Sequence, residues 1–312
     1  MSVRVGVVVR TRERPAFLAR ALADVAAQRF DEAEVIVVND GGDAAVVDDV
    51  VAGSAVAERT RVIHIAPGRG GRCIAANTGM RATEAEFVVL HDDDDRWHPD
   101  FLEATVAWLD DNPADAAVGT ATEIVYEVER DGEWVEGSRA RFWADMQRIS
   151  LTEMVQINRA VPISMLYRRA LHDDVGWYDE TLDAVEDWEF YLRVLEKHPI
   201  GYIGDRVLAY WTQRPDARGD DANSMFGLVS EHRRDDQVVR DRALQEWMAR
   251  EGAGLPLYLA GMEQRLSEQL DGQLRRMEEN LQTLRGDLRR EIDAHQPVMS
   301  RLRRVRARLR RS

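Results

Sequence analysis

The chain has 312 residues, 45% of them hydrophobic, which is enough for a sizeable core and excludes a disordered protein. Its formal net charge of −14 is uneven, because residues 298–312 hold seven arginines and no acid, and the rest carries about −21 once these are subtracted. An acidic body excludes a general nucleic-acid binder, whereas the isolated basic tail favours an anionic lipid surface or an acidic partner. The single cysteine, Cys73, excludes an intrachain disulfide framework and is typical of a reducing compartment.

The first hundred residues alternate Val/Ile-rich runs with amphipathic stretches, which predicts a parallel sheet covered by helices. The N-terminal run is broken by Arg4 and Arg10, so it predicts a strand and not a signal peptide. No window approaches the length of an uncharged transmembrane helix. The predicted strands are 3–9, 34–38, 61–65 and 86–90, and the predicted helices are 15–28, 44–57, 73–82 and 99–111.

Polar residues follow three of these strands: Arg10 to Arg14, Asn39-Asp40, and the four aspartates Asp92 to Asp95. Ligands of such sheets bind outside the carboxyl ends of the strands, so we expect these groups to converge. Four adjacent carboxylates repel one another, which favours a divalent cation such as Mn²⁺ or Mg²⁺. The alternative is a solvated acidic turn that caps the helix beginning near Pro99.

Beyond residue 112 the pattern is mixed, with strands predicted around 117–128 and 161–167 and a helix at 184–197. Between Leu259 and Ile292 apolar residues recur every three or four positions, which predicts a coiled coil or a helical hairpin. Its early steps of four predict a stutter before a regular stretch from Leu274 to Leu288.

The arginine-rich segment after Pro297 carries a narrow apolar stripe and suggests an interfacial membrane helix. A disordered basic tail, or a tail packed along the acidic body, is the alternative. If the protein meets a membrane, we expect contact from the surface.

Five ordered pieces of sequence carry a resemblance to a known family. They are residues 5–15 (VGVVVRTRERP), 35–40 (VIVVND), 68–79 (GRGGRCIAANTG), 88–102 (VVLHDDDDRWHPDFL), and 176–182 (GWYDETL) with 185–194 (VEDWEFYLRV). In this order and spacing the chain resembles the family-2 inverting bacterial glycosyltransferases, over about residues 3 to 215. The resemblance implies an α/β GT-A fold, with a Rossmann-like, mostly parallel central sheet flanked by helices. It names no particular sugar.

The resemblance also implies a donor site. The residues that match its nucleotide-sugar contacts are Thr11, Arg12, Arg14, Asp40, Arg72, Asp92 and Asp93. Asp92 and Asp94 frame the family's Asp-x-Asp metal motif, and we expect Asp94 to contact Mn²⁺ or Mg²⁺ directly. The register is open by one position, because four identical residues allow two such readings.

On the acceptor side, Glu186 and Asp187 match the family's Glu-Asp motif at the start of a helix. The resemblance implies that Asp187 is the general base and that Glu186 is its neighbour or an acceptor contact. We expect a carboxylate at a helix N-terminus to stay ionised at neutral pH. A helix-capping pair is the alternative.

The chain departs from the family at two places. Arg12 stands where many relatives carry an aromatic residue, which leaves the contact to the nucleotide base open. Residues 210–215 offer no late histidine of the kind that some relatives use as a metal ligand, and His232 lies in a charged helix. A further metal ligand is therefore left unassigned.

Together these features predict a metal-dependent, inverting, hexosyltransferase-type enzyme. It moves a sugar from a nucleotide-diphosphate donor to a hydroxyl of a lipid-linked or cell-surface glycan, in the cytoplasm and at the inner membrane face. The expected segments are a GT-A domain (1–225), a helical connector (226–257), a coiled-coil or hairpin segment that forms homo-oligomers (258–296) and a basic amphipathic tail (297–312). The competing hypotheses are a nucleotidyltransferase on a related sheet and a coiled-coil scaffold subunit with a degenerate transferase domain.

Overall fold

The computed structural model describes residues 3–219 and 223–295. The basic tail expected at 297–312 lies outside the described residues, so its helix and its membrane contact stay predictions. The chain divides into two compact units between Arg240 and Asp241.

The first unit is built on one nine-stranded sheet with helices on both faces. Its strands are β1 (Val5–Thr11), β2 (Ala33–Asp40), β3 (Thr60–Ile65), β4 (Phe87–Asp92), β5 (Arg96–Trp97), β6 (Ala117–Arg130), β7 (Glu133–Phe142), β8 (Met165–Arg168) and β9 (Ile200–Gln213). Its helices are α1 (Pro15–Ala26), α2 (Ala44–Ala52), α3 (Arg72–Arg81), α4 (Phe101–Asp111), α5 (Leu151–Met154), α6 (Leu171–Asp174), α7 (Glu186–Leu195) and α8 (Ser224–Gly227). Helix α9 (Val229–Glu251) begins in this unit, and α10 (Gly254–His295) follows it.

The strands lie in the order β3-β2-β1-β4-β8-β6-β9-β5, with β7 beside β6. The first four strands pair in parallel as expected, and so do β6 and β9. Pairs β4–β8, β6–β8, β6–β7 and β5–β9 are antiparallel, so the sheet is mixed beyond its parallel N-terminal strands. Strands β6 and β7 are antiparallel because a tight turn at Asp131-Gly132 joins them as a hairpin.

Two apolar cores flank the sheet because its central strands are buried on both faces. Val7 and Val9 of β1 point into the core beneath α1 and α4, while Val8 points into the core beneath α3 and α7. Helix α3 lies very close to the sheet at Gly79, where an added Cβ would come 2.3 Å from a methyl carbon of Val8. This close packing sets the position of the loop that precedes α3.

Three differences from the sequence predictions affect the organisation of the chain. The strand expected at 161–167 is shortened to β8, because Pro162 opens a 3₁₀ turn that runs to Ser164. Segment 258–296 belongs to one continuous helix up to His295, so the hairpin alternative is wrong over these residues. The first compact unit extends to Arg240 and not to residue 225, because the start of α9 bonds to it: Asp235 accepts hydrogen bonds from the backbone N–H groups of Asp183 and Ala184, at 2.8 and 2.9 Å.

In the second unit, α10 exposes a long series of apolar side chains to solvent. They are Leu255, Leu257, Tyr258, Leu259, Met262, Leu266, Leu270, Leu274, Met277, Leu281, Leu284, Leu288 and Ile292. Within the described ranges, no helix combines the length and the apolar character needed to cross a bilayer.

Candidate active site

The carboxyl ends of β1, β2 and β4 bring the expected polar groups to one edge of the sheet. Arg10 lies beside Asp92 in the β1–β4 register, and Thr11 lies beside Asn39 in the β1–β2 register. Because the strands are parallel, side chains 82 positions apart along the chain become direct neighbours. This edge forms the floor of a cavity of about 620 Å³.

Six of the seven residues expected to contact a nucleotide sugar line this first cavity: Thr11, Arg12, Arg14, Asp40, Arg72 and Asp92. Asp94, the expected metal ligand, lines it as well. Asp93 does not line it. Its side chain is 0% exposed and bonds to the guanidinium group of Arg14, so its position does not fit the donor contact that we expected.

The four aspartates each have a different environment. Asp92 accepts two hydrogen bonds from Arg10, at 2.8 and 2.9 Å. Asp95 accepts the backbone N–H of Thr212 at 2.8 Å. Burial raises the pKa of Asp95 well above its usual value, and it raises that of Asp93 to about 7 against the opposing effect of Arg14. Arginine contacts and neutralisation by burial therefore offset the repulsion expected within this run.

Asp94 is held through one carboxylate oxygen. Its Oδ2 accepts hydrogen bonds from Arg214 and from Asn223, the latter at 2.9 Å. Arg214 is fully buried and also pairs with Glu127 at 3.1 Å, so Asp94 belongs to a buried ion-pair network. Within the part of the chain that the structure describes, the hydrogen bonds to the carboxylate of Asp94 all use Oδ2, which leaves Oδ1 as a candidate metal ligand.

A divalent cation fits this set of protein oxygens only if substrate phosphates and water supply the remaining ligands. Among residues 3–219 and 223–295, no group of three His, Cys, Asp or Glu side chains could hold a metal ion by itself. Asp92 and Asp94 both line the cavity and offer hard oxygen atoms. Mg²⁺ is commonly bound by one or two carboxylates together with substrate phosphates and water, and the site suits that arrangement.

The glycine-rich turn before α3 packs directly on Asp40. The carboxylate of Asp40 accepts the backbone N–H of Gly71 at 3.0 Å. A Cβ atom built on Gly70 would lie 1.5 Å from the same oxygen, so a larger residue here would displace the carboxylate of Asp40. The turn thereby places Arg72 at the start of α3, on the wall of the cavity.

A second cavity, of about 670 Å³, adjoins the first, and Arg10, Arg72, Asp92, Asp95 and Trp211 line both. Glu186 and Asp187 line it from the N-terminus of α7. Much of its remaining wall is apolar and aromatic, with Phe142, Trp143, Val161, Pro162 and Trp188.

Glu186 and Asp187 have opposite ionisation behaviour. Burial would raise the pKa of Glu186, but Arg72 and Arg10, the latter at 3.1 Å, outweigh burial and lower it. Burial raises the pKa of Asp187 to about 7, and the charge of Glu186 adds to this rise. The expectation that the helix N-terminus keeps Asp187 fully ionised is therefore not met, since desolvation outweighs the helix. The pKa of Asp187 therefore lies close to neutral pH, which suits a general base.

Several residues of the site carry no recognisable signal in the sequence. Asn158, Glu127, Arg214 and Asn223 lie outside the quoted motifs, and only the folded chain brings them to the carboxylates. The sequence placed Arg10 at the edge of the sheet, since it follows the strand predicted at 3–9, but it did not show that Arg10 bonds to both acidic motifs.

Comparison with known proteins begins with a sequence profile for the family described as "Glycosyl transferase family 2", which matches residues 6–176. The uncharacterized glycosyltransferase YwdF of Bacillus subtilis (strain 168) is 29% identical over 201 residues, which cover 64% of this chain and 70% of YwdF. The succinoglycan biosynthesis protein ExoW of Rhizobium meliloti (strain 1021) is 38% identical over 93 residues, 29% of either chain.

Solved structures show the same fold at low identity. TarS residues 1–349 of S. aureus, in complex with UDP-GlcNAc, align with a TM-score of 0.53 and 21% identity, covering 72% of this chain and 63% of that one. The mannosyltransferase PcManGT of Pyrobaculum calidifontis, in complex with GDP-Man and Mn²⁺, aligns with a TM-score of 0.52 and 20% identity, covering 70% and 59%. The match thus spans about three fifths of each solved chain. The predicted GT-A type of α/β fold with a C-terminal helical region is confirmed.

Proposed function

The chain belongs to glycosyltransferase family 2, and from this premise we propose that it transfers a sugar, with inversion, from a nucleotide diphosphate to a hydroxyl group. One observation carries the proposal: a cavity lined with arginines and aspartates shares a wall with a second cavity. The second cavity holds the carboxylate of Asp187, whose pKa is about 7. The first cavity suits the donor and the second the acceptor. Family membership favours this reaction over nucleotidyl transfer.

In the donor cavity, the side chains of Arg12, Arg14 and Arg72 supply positive charge for a diphosphate. A guanidinium group can donate two hydrogen bonds to two oxygens of one phosphate, and this geometry orients the donor as well as attracting it. Asp92 and Asp94 would hold a divalent cation, which when bound neutralises charge on the leaving diphosphate as a Lewis acid. Two relatives of the same fold support this assignment, since one is bound to UDP-GlcNAc and the other to GDP-Man with Mn²⁺.

In the acceptor cavity, Asp187 removes the proton from the attacking hydroxyl group. The hydroxyl oxygen then bonds to the anomeric carbon from the face opposite the diphosphate. The bond between that carbon and the diphosphate oxygen breaks, and the diphosphate leaves with the electron pair. A single displacement of this kind inverts the anomeric configuration, and it needs one base and no covalent intermediate.

The acceptor that we propose is a lipid-linked or cell-surface glycan. Aromatic side chains such as Trp143 and Trp211 offer flat apolar surfaces to the ring face of a sugar, and the biosynthetic role named for ExoW supports a polysaccharide product. We place the enzyme in the cytoplasm, with its basic tail on the anionic inner face of the membrane. The exposed apolar stripe of α10 supports self-association through a coiled coil.

The test is a panel of nucleotide sugars with Mn²⁺ or Mg²⁺, read by thermal stabilisation and by transfer to glycan acceptors. Asp94→Asn should weaken metal-dependent donor binding, and Asp187→Asn should reduce transfer by at least ~100-fold while donor binding remains. Asp49→Asn, at an exposed position of α2, is the matched control. Full transfer by Asp187→Asn would refute the role of Asp187 as the base. Absence of both thermal stabilisation and transfer with every donor would refute the donor site.

A further inference from the structure

The loop that follows α5 carries an amide that touches the proposed base. The Nδ2 group of Asn158 donates a hydrogen bond to Oδ2 of Asp187 at 2.9 Å. The other end of the amide, Oδ1, accepts the backbone N–H of Ala160 at 3.1 Å, which determines the orientation of the amide. Both side chains line the acceptor cavity.

We propose that Asn158 is a positioning residue, which holds Oδ2 of Asp187 so that its Oδ1 faces the acceptor hydroxyl group. The inference rests on the proposed function, because it takes Asp187 as the base. A carboxylate that rotates freely presents its oxygens in many directions, whereas one fixed by a neutral donor keeps one oxygen for proton transfer.

The loop of Asn158 is itself fixed by the residue next to the base. Trp188 donates its indole N–H to the carbonyl of Met154 at 2.6 Å. Arg240 of α9 donates to the carbonyl groups of Val155 and Gln156, at 2.8 and 3.1 Å, and lies 4.8 Å from the centre of the Trp188 ring. The amide therefore approaches Asp187 from a loop clamped between α7 and α9, which is how a supporting shell keeps a reactive group in place.

The charge environment supports this role. Burial and Glu186 raise the pKa of Asp187, whereas the hydrogen bond from Asn158, the backbone N–H of Trp188 and the charge of Arg72 lower it. Arg10 forms an ion pair with Glu186 at 3.1 Å. The pKa values of Tyr178 and Tyr191 are raised, so both phenols are neutral. From α9, the charged or titratable groups on the cavity wall are His232, Arg233 and Asp236. Asn158 thus supplies an uncharged hydrogen bond that favours the ionised base.

The experiment measures kcat and the acceptor KM against pH for Asn158→Ala and Asn158→Asp in the full chain. We expect the acid limb of the kcat profile to move to higher pH by about one unit in Asn158→Ala, because one hydrogen bond to a charged group is lost. It should move further in Asn158→Asp, where a second carboxylate faces the first. At pH 9 kcat should stay about tenfold below the wild-type value, since orientation is not restored by ionisation.

Thr152→Ala, an exposed position on the same α5 segment, is the control and should reproduce the wild-type profile. Thermal stabilisation by the nucleotide donor checks that each variant is folded. An unmoved acid limb in Asn158→Ala, with kcat reduced equally at every pH, would overturn the positioning role and indicate a merely structural contact. Retained transfer by Asp187→Asn would instead overturn the proposed base itself, whatever the Asn158 variants show.

Discussion

Arg10 is the residue on which the two halves of the site meet. Its guanidinium group donates two hydrogen bonds to Asp92, one to Glu186 at 3.1 Å and one to the backbone carbonyl of Arg72 at 3.0 Å. The side chain is almost fully buried. Buried charges are tolerated only when they are paired. Removing this one group takes the paired guanidinium from Asp92 and leaves Glu186 with the longer contact to Arg72, at 3.8 Å.

Arg10→Gln should therefore lower the free energy of unfolding by about 3 kcal/mol, and Arg10→Lys by less, because lysine keeps the charge but loses the paired geometry. Both variants should lose most transfer activity. Urea unfolding of the two variants beside Arg130→Gln, an exposed position at the end of β6, measures the difference. Equal stability of Arg10→Gln and the wild type would show that Arg10 is not the link between the motifs.

His172 provides a residue-scale test that is independent of catalysis. Its ring stacks on Trp177 at 4.3 Å between centroids, Nδ1 donates to the carbonyl of Gly176, and Nε2 accepts the hydroxyl of Tyr167 at 3.0 Å. Burial lowers the pKa of His172 to about 4. The folded protein therefore holds the neutral ring, while the unfolded chain binds a proton below its ordinary pKa of about 6.5.

It follows that the stability due to neutral His172 is complete above about pH 6.5 and is lost as the pH falls towards 4. The stability of the wild type relative to His172→Gln should fall by about 3 kcal/mol between pH 7 and pH 4. Denaturant unfolding of both proteins at several pH values measures this difference, and the carboxylates common to both cancel. A pH-independent difference would show that His172 titrates normally in the folded state.

At the scale of the element, α10 has a repeat of eleven residues. Leu259, Leu270, Leu281 and Ile292 are spaced by eleven, and so are Leu266, Met277 and Leu288. The stretch from Leu274 to Leu288, which was expected to be regular, is thus part of a longer pattern that repeats every eleven residues. Eleven residues in three turns exceed the natural period of the helix slightly, so associated copies should be nearly straight or weakly right-handed, and not left-handed.

Full-length protein should therefore self-associate through this stripe, and Leu270→Glu combined with Leu281→Glu should make it monomeric, because charges within an apolar seam are costly to bury. Gln282→Glu, at a polar position of α10, is the control. Sedimentation equilibrium gives the mass of each species. A monomeric wild-type chain would refute self-association, and a double variant with the mass of a wild-type oligomer would exclude α10 as the interface.

The sequence predicted the strands of the parallel half well, because alternation of Val/Ile runs with amphipathic stretches is a local signal. It failed where geometry is set by distant partners. Asp187 is less acidic than its helix position suggested, since burial depends on the whole fold. The shortened strand is a different case, because Pro162 lies within the predicted strand and is a local signal. The contacts of Asn158 and Arg214 could not be predicted at all, because no local pattern marks a side chain that meets its partner 29 or 120 positions away.

For the whole molecule, the shared wall between the two cavities has a thermodynamic consequence. A donor diphosphate that draws Arg10 towards itself weakens the bond from Arg10 to Glu186, and so changes the field that acts on Asp187. Occupancy on one side then alters affinity on the other. Linkage requires the effect to be reciprocal: whatever factor the first substrate imposes on the second, the second imposes on the first. On the proposed function, this one buried guanidinium group would couple the donor cavity to the acceptor cavity.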